Sequence, residues 1–166
     1  MDTVRAKASS IIKHDVMVQY IADTRFPWPD QNTNSEVTEK YGIWPSDYVT
    51  IVNVRRKQRA IQFGGRMWYP DIVIVNDKAE VREIGEVELE DDISTAIVDK
   101  WRGYAAAASI GPQGYPKLFI YVPASKLEQA QKIIDGNSIR YAGLRAYEIS
   151  DDLNTLKLSV IITNEL

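Results

Sequence analysis

Apolar positions repeat at helical spacing near the N-terminus, gather into short near-continuous runs through the middle, and switch between the two periods thereafter. From Thr3 to Thr24, Val4, Ala8, Ile11, Val18 and Ala22 mark one stripe, widened by Ile12 and Ile21, which predicts an amphipathic helix. Asp15 falls inside that stripe. His14 is expected off the stripe, on the solvated surface. Phe26-Pro27-Trp28-Pro29 ends the helix, because proline removes backbone donors and fixes φ. After a polar loop over Asp30 to Asn34, Asn34 is placed to cap a short helix through Glu36, Val37 and Tyr41 that Gly42 closes. Trp28 and Trp44 would pack this excursion onto the main body.

Strand chemistry follows. Tyr48 to Val54 is rich in β-formers and Ala60 to Phe63 reads as extended, with Arg55-Arg56-Lys57-Gln58-Arg59 between them. Gly64-Gly65 turns the chain toward the middle of the sequence. There, Ile72-Val73-Ile74-Val75 and Val81 to Leu89 flank the turn residues Asn76-Asp77-Lys78, which predicts a β-hairpin. A helix is expected from Ile93 to Ser109, with Ile93, Ala96, Ile97, Trp101, Tyr104 and Ala108 buried. Glu90, Asp91 and Asp92 suit its N-terminus, where acids favour the helix dipole. Pro116 to Pro123 reads as a strand buried on both faces. Ser125 is placed to cap a helix through Leu127, Ala130, Ile133 and Ile134 that closes at Gly136, and strands are expected at Leu144 to Ile149 and Leu156 to Thr163. The expected fold class is α/β, with a central mixed β-sheet flanked by helices.

The hairpin carries a chemical prediction. With Val75 opposite Arg82, antiparallel register sets Val73 opposite Ile84 and Asp71 opposite Glu86. Facing residues on one side of such a pair stand about 4.5–5.5 Å apart at Cβ. Glu88 shares a face with Glu86, two residues away. Acids gathered this closely repel unless they are protonated or bridged by a cation, and hard oxygen ligands suit Mg²⁺ or Mn²⁺.

Composition narrows the chemistry. A chain of 166 residues fits one domain, residues 1–166, with a helical part over about 1–45 and a core over about 46–166. Absence of cysteine excludes disulfides, cysteine-ligated zinc, iron–sulfur clusters and thiol catalysis. A single histidine makes a Ser/His/Asp triad improbable and a multi-histidine metal site impossible within one chain. The net charge of −3 argues against a surface that grips nucleic acid everywhere, but not against a local patch. No run approaches a membrane span and the N-terminus lacks a signal-peptide core, so a cytoplasmic protein without a membrane partner is expected.

Pro70-Asp71, Glu86-Val87-Glu88 and the helix that follows resemble the PD-(D/E)xK nuclease superfamily, which contains many restriction and repair nucleases. The resemblance implies a restriction endonuclease-like core. It also implies divalent-metal-dependent hydrolysis of DNA phosphodiesters, with Asp71 and Glu86 holding Mg²⁺ or Mn²⁺ and the Val87 carbonyl as a further ligand. Glu88 stands where the family's lysine is usual, either assisting the metal or accepting a proton from attacking water. RecB-like members carry Gln-x-x-x-Tyr on the following helix. Lys100-Trp101-Arg102-Gly103-Tyr104 occupies that place, so Lys100 is a candidate for the displaced lysine and Tyr104 an accessory residue. Alternatively, Lys100 only snorkels beside Trp101.

Two further acids, Asp15 and Glu36 (with Glu39 beside the latter), are candidates for the extra carboxylate that first helices of this superfamily supply. For each, a place at the stripe's margin or on the surface is the competing assignment. Arg55, Arg56, Arg59 and Arg66 would contact DNA, or else form a solvated hairpin tip. Cleavage of both strands by so small a domain would favour a homodimer. A catalytically inactive nuclease-fold binding module is the alternative function. The plainest reading makes Glu86 and Glu88 the wet face of an edge strand.

Overall fold

The computed structural model describes residues 2–25 and 47–164, with the side chains of the first helix from Ser10 onward. The predicted short helix after Asn34, together with Trp28, Trp44, Glu36 and Glu39, lies outside the described residues. The fold is α/β. β-Branched runs build a six-stranded mixed sheet in the order β1-β4-β5-β6-β7-β8, from Val49–Val52, Ile72–Val75, Val81–Val87, Leu118–Pro123, Gly143–Ile149 and Leu156–Thr163. The remaining strands, β2 (Ile61–Phe63) and β3 (Arg66–Trp68), form a separate hairpin. Gly64 and Gly65 make its two-residue turn with φ of 60° and 74°, a conformation that excludes most side chains. The sequence pattern missed β3, because three residues with a charged start carry too little alternation to read.

Pairing is antiparallel for β1–β4, β4–β5 and β7–β8, and parallel for β5–β6 and β6–β7. The C-terminal ends of β1, β5, β6 and β7 therefore share one edge of the sheet with the N-terminal end of β4. Asp71, Val87 and Pro123 all sit at that end. β5 lies between β4 and β6, and Glu86 and Glu88 are buried, which rules out the edge-strand reading.

The central hairpin has Val73 opposite Ile84, as predicted, and Ile72 opposite Gly85. Near the turn the register slips. Val75 faces Val81 instead of Arg82, and a bulge absorbs the extra residue. The turn explains the slip. Asn76 Oδ1 accepts hydrogen bonds from the amides of Lys78 and Glu80, at 3.1 and 2.9 Å, and Ala79 adopts φ 60°. This tight closure draws Val81 directly opposite Val75.

Helices cover both faces of the sheet. On one, α1 (Asp2–Arg25) packs Met17, Val18, Ile21 and Ala22 against Ile72, Ile74, Val87, Tyr121 and Tyr147. That phase corrects the predicted stripe. Ile11 and Ile12 are 51% and 58% exposed, while Met17, left out of the pattern, is fully buried. His14 precedes Met17 by three residues and Val18 by four, so it belongs to the buried face and not to the solvated surface. Among the described residues no helix is long and apolar enough to cross a membrane.

On the other face, α2 (Val98–Ala107) and α3 (Leu127–Gly136) pack Trp101, Tyr104, Ala130, Ile133 and Ile134 over Ile84, Leu118, Ile120, Val122 and Leu144. α2 is shorter than predicted, since 3₁₀ turns occupy Glu90–Asp92 and Thr95–Ile97. Their tighter winding turns Ala96 outward while Ile93 and Ile97 stay buried. Ser125 does not cap α3. It sits in a 3₁₀ turn, and its hydroxyl donates to Glu90 Oε1 at 3.0 Å.

Candidate functional site

Because β4 and β5 keep their register at this end, Asp71 and Glu86 come together as predicted and share a hydrogen bond. Asp71 also accepts from the Val87 amide, 2.9 Å from its Oδ2. Opposite them stands a residue that the pattern placed in solvent. His14 Nε2 reaches over from α1 to lie 3.1 Å from both Asp71 Oδ2 and the Val87 carbonyl oxygen. Its Nδ1 is 3.3 Å from Asp15 Oδ1, so Asp15 touches the imidazole and not the acid pair. The missed signal was the spacing itself: His14, Met17, Val18, Ile21 and Ala22 form an uninterrupted helical stripe once methionine counts as apolar.

Both imidazole nitrogens face acceptors, so the ring serves as a double donor. Burial opposes its charge, but the hydrogen bond and charge of Asp71 outweigh that and raise the His14 pKa to about 9. For Asp71, burial pushes upward while bonds from His14 and Glu86 pull harder, and the net direction is down. Glu86 moves the opposite way. Complete burial, and then the neighbouring Asp71 charge, hold its pKa well above the ordinary carboxylate value, so the proton between the two acids resides on Glu86.

On the α2 side, Tyr104 hydrogen-bonds to Glu86, and burial pushes its hydroxyl upward. Lys100 does not merely snorkel beside Trp101. Its Nζ sits 2.7 and 3.0 Å from the two Glu88 carboxylate oxygens, and Trp101 Nε1 donates to Glu88 Oε1 at 3.1 Å. Burial works against the Lys100 charge, yet the cluster of acids that it faces keeps its pKa raised. The backbone of Glu88 is pinned as well, its amide bonded to Tyr121 O and its carbonyl accepting the Tyr147 hydroxyl at 2.6 Å.

The predicted cationic segment stands next to this centre. Asn53 Oδ1 accepts from the amides of Gln58 and Arg59, and its Nδ2 donates to Arg59 O and Pro70 O at 2.8 and 2.6 Å. Asn53 N also donates to Asp71 O at 3.0 Å. One buried asparagine thus ties the basic loop to the strand that begins with the catalytic candidate. Arg55, Arg56 and Lys57 are exposed, and Lys57 stacks 5.0 Å from the Tyr69 ring. Arg59 is partly buried, and its Nε has no hydrogen-bond partner. Arg66 lies on the separate hairpin, stacked 4.2 Å over Trp68.

Metal fit can be judged from the donors. Among the described residues no three His, Asp or Glu side chains are already drawn into a cage. What converges instead is His14 Nε2, Asp71 Oδ2 and the Val87 carbonyl, held by a proton in the place a cation would take. Adjacent ligands on a magnesium-sized octahedral ion lie about 3 Å apart, so these spacings suit it. Glu86, hydrogen-bonded to Asp71, keeps its buried Oε2 without a hydrogen-bond partner. The oxygen donors, Asp71, Glu86 and the Val87 carbonyl, are of the kind that Mg²⁺ and Mn²⁺ take, while the imidazole nitrogen is the softer donor. No known protein family, characterised protein or solved structure matches this chain.

Proposed function

We propose that this protein is a divalent-metal-dependent nuclease of the PD-(D/E)xK type, with a restriction endonuclease-like core, that hydrolyses DNA phosphodiester bonds. The observation that carries the reading is the convergence of His14 Nε2, Asp71 Oδ2 and the Val87 carbonyl, with Glu86 hydrogen-bonded to Asp71. These four groups would hold Mg²⁺ or Mn²⁺, displacing the protons now on His14 and Glu86. Once bound, the ion polarises the scissile phosphate and lowers the pKa of its water.

The side chains supply the rest. Lys100 offers a permanent positive charge beside the acids, aimed by Glu88 and Trp101, to orient the phosphate and stabilise charge as it develops. Glu88 in this reading is the lysine's anchor: its carboxylate occupies the motif's lysine position, and the cation arrives from α2. Tyr104 orients Glu86. Arg55, Arg56 and Arg59 hold the strand on the β1 side, with Arg66 further out. In the reaction, a water oxygen bonds to phosphorus, the ester P–O bond breaks, and the departing sugar oxygen takes up a proton.

The test is cleavage of DNA in Mg²⁺ or Mn²⁺ by wild type and Asp71→Asn, with folding checked by circular dichroism. Loss of about 10³-fold or more in rate by a folded variant supports the reading. Glu88 at the lysine position also favours a second reading, a nuclease-fold module that binds nucleic acid without cutting it. Tight DNA binding with no metal uptake by calorimetry and no cleavage would decide for that alternative.

A further inference from the structure

Charge changes sign across the catalytic end of the sheet. The strand order sets Arg55, Arg56 and Lys57, which follow β1, on one side of Asp71 and Glu86. On the other side, toward β6 and β7, a cavity of about 740 Å³ opens between α1 and the segment after β5. Ile11, Pro123 and Tyr147 give it apolar surface, whereas Glu90, Asp91 and Asp92 wall it with carboxylates. Lys13 also lines it, which leaves the acids in excess. His14 belongs to both places, lining the cavity while bonded to Asp71.

A polynucleotide crossing this end would meet cations on one side and anions on the other. Apolar walls accept the faces of a base, and a cavity of this size holds one nucleotide-sized ligand. The acidic wall repels any phosphate placed against it. A strand can therefore be gripped on the β1 side but cannot continue through the cavity. We infer that the site takes the free end of a single DNA strand, seating the terminal nucleoside in the cavity and releasing nucleotides one at a time. This rests on the nuclease reading and adds the substrate class to it. At each step one water is consumed: its oxygen bonds to the phosphorus of the last linkage, the ester bond to one sugar breaks, and that sugar oxygen gains the proton.

The experiment compares a linear single-stranded oligonucleotide with a covalently closed circle of the same sequence, in Mn²⁺, for wild type and for Glu90→Gln/Asp91→Asn/Asp92→Asn. All three altered side chains are exposed, and circular dichroism checks that the variant folds. Expected are mononucleotide products from one end, a circle cut about tenfold or more slowly, and a variant in which that gap narrows. Equal cutting of circle and linear strand by wild type overturns this inference and leaves the nuclease reading standing. A gap that persists unchanged in the folded variant also overturns it, because the acids would then exclude nothing. Cleavage of neither substrate overturns the nuclease reading itself.

Discussion

Glu86 lies on β5 and Glu88 just past its end, two residues on, and they are 4% and 1% exposed. Their surroundings differ entirely. Both oxygens of Glu88 are taken, by Lys100 and the Trp101 indole, so its charge is closed inside the fold. Glu86 shares a proton with Asp71, bonds to Tyr104, and keeps one oxygen with no partner. Equal burial of the same residue type thus yields an anchor in one case and an open acceptor in the other. What decides is whether the fold brings its own cation.

The largest effect expected from breaking this contrast falls on the anchor. Lys100→Met leaves Glu88 buried without its counter-charge and should cost about 3–5 kcal/mol in urea unfolding. Lys100→Met/Glu88→Leu should recover most of that loss, since apolar replacement of a buried pair is often neutral. A loss below about 1 kcal/mol for the single variant would mean that Glu88 is not held as a charge.

Next comes the pH dependence of the open side, measured in chelator. The folded pKa of His14, about 9, exceeds its ordinary value of 6.5. Its contribution is therefore complete below pH 6.5 and is lost as pH rises through about 9. The span corresponds to a figure on the order of 3 kcal/mol. Glu86 acts in the same direction, because an acid whose folded pKa is raised loses stability as pH climbs above its ordinary value. His14→Gln should flatten the fall between pH 6.5 and 9, leaving the share due to Glu86. A slope unchanged in that variant would show that the imidazole is not the charged partner of Asp71.

Much of this centre was legible before the fold was known, for a physical reason. Ile72–Val75 and the strand after the turn are apolar runs on either side of turn residues, which marks a hairpin, and the register kept over Ile72–Ile74 brings Asp71 to Glu86. The Trp101 and Tyr104 stripe was equally clear, since large buried rings dominate the period of α2. On α1 the period was ambiguous: Ile11 and Ile12 offered an apolar phase that packing rejects in favour of Met17, and His14 was lost with it. The bulge at Val75 was invisible because it arises from Asn76 side-chain bonds closing the turn. Nor could sequence show that Lys100 would be spent on Glu88, since that depends on how α2 lies over β5.

The contrast is sharpened most directly by making the same small change in both acids. In chelator, Glu86→Gln should alter stability little, because the buried acid already carries its proton and an amide has nearly the same shape. Metal should reveal what it removed. At a hundredfold excess over Kd, an ion bound only by the folded state stabilises wild type by about 2.7 kcal/mol, and this increment should vanish in Glu86→Gln. Glu88→Gln should keep most of the increment while losing stability in chelator, because it strands the Lys100 ammonium against an uncharged amide. Thermal unfolding of the three proteins with and without Mn²⁺ gives both differences. If Glu86→Gln retained the metal increment and Glu88→Gln lost it, the roles would be exchanged: Glu88 would have to release Lys100 to take the ion, and the lysine would be freed for phosphate only when metal is bound.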